Sequence, residues 1–249
     1  MYFEDLAAVH DAGFGGLARL AAPEIVRLLR ARGIRAGLVV DVGCGSGIAA
    51  QHFVQRGYDV VGIDASRAMI RLARARAPHA RFRVASIDRA ALPPCDAVTA
   101  IGEVVTYVGG GLPAVARFFR RARAALRPGG VLVFDFMESA AKRTYAAKSF
   151  AGPGWALASQ ATFDAARRVL TRRMAIVRTV AGRVRCARET HRVRIYRRQE
   201  IADALARAGF RARMSRSYGR CRLLPGDVVV VATATSAKQA KTAKNAKSV

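Results

Sequence analysis

The sequence is short of acids. Seventeen Asp and Glu stand against 43 Lys and Arg, a formal net charge of +26. Long apolar runs are missing too. No stretch reaches the roughly 18 residues that a membrane-spanning helix needs, so no membrane span is expected. The opening "MYFEDLAAVH" has acids where a signal peptide carries bases, so export is not expected and a cytoplasmic location is. Cysteine is scarce. Cys44, Cys95, Cys186 and Cys221 lie far apart without CxxC spacing and read as isolated thiols in a reducing compartment. There are four histidines and no His/Cys cluster, so no metal site is expected.

Arginine and alanine are plentiful. Of the 43 basic residues 37 are arginine, a pattern that GC-rich codon usage produces by itself. A positive field attracts nucleic acid and other anions. Because composition accounts for the charge, nucleic acid stays open as a partner without being favoured. Apolar residues make up 52% of the 249, enough to bury the core of one α/β domain with a small insertion.

From residue 38 to 137 apolar runs alternate with helical patterns. "GLVVDV" precedes "IAAQHFVQRG", and "YDVVGID" precedes "SRAMIRLARARAP" with Ser66 as N-cap. "ARFRVASI" and "CDAVTAIGEV" are the next strands. A long amphipathic helix, stopped by Pro128, leads to "VLVFDFM". This alternation predicts a doubly wound, mostly parallel sheet with helices on both faces. Residues 1–34 read as an N-terminal helical lid, broken at "AGFGG", with Pro23 in the first turn of its second helix. Residues 139–150 read as helical or irregular. Three extended stretches over 155–197 read as an antiparallel insertion on the main sheet, a substrate cover or homodimer contact. In Arg192-Val193-Arg194-Ile195 the period of two gives one wet and one covered face. "RRQEIADALARAGF" is a helix, followed by two last strands. The core is therefore 35–138 plus 198–235, the insertion is 139–197, and 236–249 is a basic tail expected to be disordered.

"VVDVGCGSG" raises the functional question. Gly43, Gly45 and Gly47 sit where the first strand meets its helix, the crevice at which doubly wound sheets bind ligands. Glycines there let a ligand lie against bare backbone. Asp64 ends the second strand 21 residues after Gly43, a spacing at which a carboxylate reaches ribose hydroxyls. The third glycine comes one residue too early for a pyrophosphate fingerprint. Asp41 beside the turn would repel a pyrophosphate but attract an ammonium.

These motifs resemble the class I S-adenosylmethionine-dependent methyltransferases, in particular the bacterial small-molecule type, over residues 35–137 and 198–234. "VVDVGCGSG" is similar to that family's first motif and "VVGIDAS" to its second. The resemblance implies a seven-stranded Rossmann-like sheet whose last strand is antiparallel, with S-adenosylmethionine as cofactor. It implies Asp41, Gly43, Cys44, Gly45 and Gly47 around the methionine end, and Asp64 and Ala65 on the ribose. Met69, Ser86 and Ile87 would border the adenine. Ile101, Gly102 and Glu103 would face the methionine end. Methyl transfer to N or O of a small metabolite or natural product is the implied activity. An RNA or protein methyltransferase, or a catalytically inactive S-adenosylmethionine-binding protein, is the alternative. The chain departs from the nucleic-acid members: it has no N/D-P-P-Y/F tetrad. Its "LPPC" precedes the fourth strand, which leaves Cys95 structural.

In-line transfer from a sulfonium needs positioning more than proton chemistry, so no catalytic residue is assigned. The candidates are His10, Glu103 and Tyr107. His10 and Asp11 lie in the lid, Glu103 and Tyr107 follow the fourth strand, and His191 in the insertion is a further possible base.

Overall fold

The computed structural model describes residues 2–138 and 147–234. Its elements run α1 (Glu4–Gly13), α2 (Gly16–Ala31), β1 (Gly37–Val42), α3 (Ile48–Gln55), β2 (Tyr58–Asp64), α4 (Arg67–Arg76), β3 (Arg81–Val84) and β4 (Cys95–Ala100). A 3-10 turn (Val104–Tyr107) leads to α5 (Gly111–Ala125) and β5 (Leu126–Met137). Then come β6 (Lys148–Gly152), β7 (Trp155–Asp164), β8 (Val169–Val180), β9 (Arg183–Arg194) and α6 (Arg198–Arg207). The chain closes with β10 (Phe210–Ser215), a short hairpin of β11 (Ser217–Tyr218) and β12 (Cys221–Arg222), and β13 (Asp227–Ala234).

The main sheet has seven strands in the order β10-β13-β5-β4-β1-β2-β3. β13 runs antiparallel to both its neighbours, and the β5-β4-β1-β2-β3 pairings are parallel. The strand order reverses between β1 and β4, so a crevice opens at their carboxyl ends. Side-chain alternation builds a core on each face. Val40, Val61, Val98, Leu132 and Val230 pack with α5 and α6. Their neighbours Val39, Val60, Ala97, Val131 and Val229 pack with α2 and α3. Both faces are covered, which is why these strands read as unbroken apolar runs.

The structure departs from the sequence reading in several places. α2 starts at Gly16, so Pro23 lies inside the helix instead of in its first turn. Buried Ala21, Ala22, Ile25, Val26 and Leu29 form one apolar face that outweighs the lost hydrogen bond. Strands β6 to β9 form a separate four-stranded antiparallel sheet, not an extension of the main one. Residues 148–150 begin β6, and the β11–β12 hairpin carried no recognised signal. The rest of the segment read as helical or irregular (139–146) and the tail 236–249 lie outside the described residues. In β9, Val193 is buried and Arg192 exposed, as the period of two requires.

Among the described residues the main sheet buries three carboxylates, Asp41, Asp135 and Asp227, and the first two are shifted by burial. Asp41 accepts a hydrogen bond from Thr99 Oγ1 at 2.7 Å. Burial pushes its pKa up to about 7, against the pull of that hydroxyl. Asp135 is pushed up to about 6 by burial, opposed by bonds from the Tyr218 hydroxyl and the amides of Gly102 and Glu103. Both folded-state values lie above the unfolded ones. The folded protein therefore keeps protons that the unfolded chain has released, and each acid costs stability as pH rises from about 4 towards its folded value. His10 has the opposite sign. Burial lowers it to about 4, so it costs stability as pH falls below about 6.5. Asp41→Asn removes one ionisation. Urea unfolding from pH 4 to pH 8 is expected to show a variant more stable than the parent at pH 8, by on the order of a few kcal/mol. The gap should close towards pH 4. A gap independent of pH would rule out the buried ionisation.

Candidate functional site

All three motif glycines adopt positive φ: 68° at Gly43, 53° at Gly45 and 79° at Gly47. Their reasons differ. A Cβ on Gly43 would lie 2.5 Å from the Val104 side chain. On Gly47 it would lie 3.0 Å from Ala73 in α4. The protein's own packing by itself bars a side chain at those two positions. A Cβ on Gly45 would meet nothing within 4 Å, because it points into open space. Of the three, only Gly45 has open space where a Cβ would stand.

The turn is held from the second strand. Asp64 Oδ2 accepts from Gly45 N at 3.0 Å and Oδ1 from Ser66 N at 2.8 Å. Burial raises the carboxyl pKa against these two amide bonds. Each oxygen keeps a second lone pair for a further donor. Ser66 is the N-cap of α4: its hydroxyl accepts from Met69 N at 3.2 Å and donates to the carbonyl of Tyr2 at 2.5 Å. Asp135 does for the fourth turn what Asp64 does for the first. Its carboxylate accepts from Gly102 N and Glu103 N, both at 2.8 Å, and from Tyr218 Oη at 2.5 Å.

Between these turns lies a cavity of about 410 Å³, within the roughly 300–1,000 Å³ of small-molecule sites. The first turn contributes Gly43, Cys44 and Gly45, and the second Asp64, Ala65 and Met69. Ser86 and Ile87 come from the loop after β3, and Ile101 and Gly102 from the end of β4. Gly102 also has open space where a Cβ would stand. Three of the sequence-predicted residues do not line it. Asp41 is buried beneath the turn on Thr99. Gly47 packs on α4. Glu103 pairs with Arg172 at 3.1 Å. Its backbone, at φ 61°, starts the 3-10 turn without a side-chain cap bond.

Distant segments close the cavity. α1 packs against β6, β7, β8 and β9, and its Asp11 is gripped by both guanidinium nitrogens of Arg76 at 2.7 and 3.0 Å. Tyr2, His10 and Phe14 line one wall, and Tyr107, Thr190, His191 and Arg192 another. His191 lies edge-on to Tyr2 and Tyr107, with ring centroids 4.8 and 5.9 Å apart. Its Nε2 lies 3.0 Å from buried Glu189 Oε2, while Glu189 Oε1 accepts from Phe3 N at 3.1 Å. Arg172 donates to Tyr107 Oη at 3.1 Å. With its pKa near 4, His10 is neutral and a weak base. Asp135, Tyr2 and Glu189 were not singled out from the sequence. An acid inside "VLVFDFM" was the available signal for the first, and no local pattern marks the other two. Among the described residues no group of three or more His, Cys, Asp or Glu could hold a metal ion.

Comparison with known proteins points the same way. A profile described as a methyltransferase domain matches residues 39–130. The trans-aconitate 2-methyltransferase of Paracidovorax citrulli is 38% identical over 105 residues, 41% of this chain and 39% of the relative. The dTDP-4-amino-2,3,4,6-tetradeoxy-D-glucose N,N-dimethyltransferase of Saccharopolyspora spinosa is 30% identical over 139 residues, 54% of this chain and 55% of the relative. The chain thus spans about two-fifths to one-half of the length of these curated relatives. Among solved structures, the amino pentose methyltransferase of calicheamicin biosynthesis from Micromonospora echinaspora, bound to S-adenosylmethionine, superposes with a TM-score of 0.75 at 25% identity. That match covers 94% of this chain and 98% of the other. Residues 39–130 match a methyltransferase-domain profile, and the chain has the seven-stranded fold of the class I S-adenosylmethionine-dependent methyltransferases.

Proposed function

We propose that the chain binds S-adenosylmethionine in this cavity and methylates N or O of a small metabolite or natural product. One observation carries the reading: the open side of Gly45 faces a cavity in which the Asp64 carboxylate is held by two amides beside it. When bound, the cofactor supplies a sulfonium methyl already activated for displacement. Gly45 and Gly102 leave it room against bare backbone, and Asp64 accepts from the ribose hydroxyls. Ser86, Ile87 and Met69 border the base. Asp41 lies one layer below the turn, on Thr99, and does not line the cavity. α1 and the four-stranded sheet exclude water, which strengthens polar contacts inside.

The acceptor enters against Tyr107 and His191. Glu189 fixes the imidazole, and His191 takes the proton that leaves the acceptor nitrogen or oxygen. Covering segments on two sides suit a small acceptor better than a polymer. The relatives' names agree, since aconitate and amino sugars are small.

Calorimetric titration with S-adenosylhomocysteine tests the binding half. Gly45→Val is expected to abolish binding while the fold, read by circular dichroism, persists. Near-parent affinity would remove the ligand from this turn. Asp64→Ala should weaken binding ten- to a hundredfold, the loss of about 1.5–3 kcal/mol from charged hydrogen bonds. It should also lower the urea midpoint, because two backbone amides lose their acceptor. If NADH saturated the protein and S-adenosylhomocysteine did not, the cofactor assignment would be wrong.

A further inference from the structure

A second depression adjoins the first. It is an open groove of about 490 Å³ formed by the segment 106–113, Val169 of β8 and residues 192–194 of β9. Tyr107 and Arg192 line both depressions, so the groove continues the cavity past one aromatic ring. Its polar side chains on β9 are Arg192 and Arg194, two residues apart and hence on the same face of the strand. Neither forms an ion pair or a side-chain hydrogen bond among the described residues.

Four other arginines around the cavity are held by carboxylates: Arg172 by Glu103, Arg76 by Asp11, Arg178 and Arg185 by Asp5. The carboxylate near the far end of the groove is engaged too. Glu200 takes both guanidinium nitrogens of Arg168, at 2.7 and 2.6 Å, and so offers no charge to Arg194. The opposite wall is Gly109-Gly110-Gly111. A Cβ on Gly109 would meet nothing within 4 Å, so this wall is bare backbone open to the groove. The Arg194 side chain lies along it, its Nε 3.5 Å from where a Gly111 Cβ would stand. Two guanidiniums without carboxylates, facing bare backbone, match an oxyanion, whose oxygens take paired N–H donors.

We propose that this groove is the acceptor's anchoring subsite and binds a phosphate or carboxylate group of the methyl acceptor. The anion sits on Arg192 and Arg194, and the nucleophile reaches past Tyr107 into the cavity. The inference rests on the methyltransferase reading, since it gives that reaction's acceptor a charged handle. It also gives part of the positive charge a task that composition does not require.

The experiment uses the full chain loaded with S-adenosylhomocysteine. It is titrated with inorganic pyrophosphate in one arm and citrate in the other, at low and at moderate salt. Saturable binding of at least one probe is expected, weakened by salt. Whichever probe binds tells phosphate from carboxylate. Arg194→Gln should weaken that probe about tenfold or more, the loss of a charge-assisted pair. Arg192→Gln with Arg194→Gln should abolish it. S-adenosylhomocysteine affinity should be unchanged in Arg194→Gln, since this side chain lines only the groove. Binding of neither probe, or equal binding by parent and variants, overturns the subsite while leaving the cofactor site standing. Salt-sensitive binding of a single-stranded RNA, lost in the double variant while neither probe binds, also overturns it, in favour of a polymer. Failure of S-adenosylhomocysteine itself to bind is a separate result and counts against the methyltransferase reading.

Discussion

The Asp64 carboxylate holds two backbone amides at once, and the site is built outward from that grip. One oxygen fixes Gly45 and the other fixes Ser66, at 3.0 and 2.8 Å. The first bond sets the glycine turn that ends β1, and the second sets the start of α4. Ser66 then passes the constraint on, because its hydroxyl donates to the Tyr2 carbonyl. A single acid at the end of β2 thus aligns floor, side and lid. A charged hydrogen bond contributes about 1.5–3 kcal/mol when its partner would otherwise be buried alone, so the turn is well determined before any ligand arrives.

The fourth strand repeats the device. Asp135, on neighbouring β5, accepts from Gly102 and Glu103 and from Tyr218. The cavity lies between two turns, each held by a carboxylate from the next strand of the sheet, half-buried at Asp64 and buried at Asp135. Burial raises the pKa of both acids, that of Asp135 to about 6. The fold accepts that cost at the carboxyl ends of its strands, where backbone amides must be aimed at a ligand and not at water.

Much of this was legible in the sequence. The alternation of apolar runs and helical patterns gave the parallel sheet, and "VVDVGCGSG" with "VVGID" located the crevice. Other features were misread for definite reasons. Three glycines in one motif suggested three ligand contacts; Gly43 and Gly45 line the cavity and Gly47 does not, while packing on Val104 and Ala73 by itself bars a side chain at 43 and 47. Those neighbours lie 61 and 26 residues along the chain, and no local pattern shows them. The covering wall was least legible. Phe3 bonds Glu189 across 186 residues, and Tyr2 meets His191 edge-on. Contacts of that span depend on how the separate β6–β9 sheet docks, and strand periodicity says which face is covered but not by what. Pro23 marked a helix start by local preference and was overridden by the apolar face of α2.

The most direct test of the central claim is a crystal structure with S-adenosylhomocysteine bound. The account predicts ribose oxygens within hydrogen-bond distance of Asp64, with the amides of Gly45 and Ser66 still on that carboxylate and the ligand packed against the bare side of Gly45. A ligand lodged elsewhere, or one that forces Asp64 to release Gly45, would contradict it.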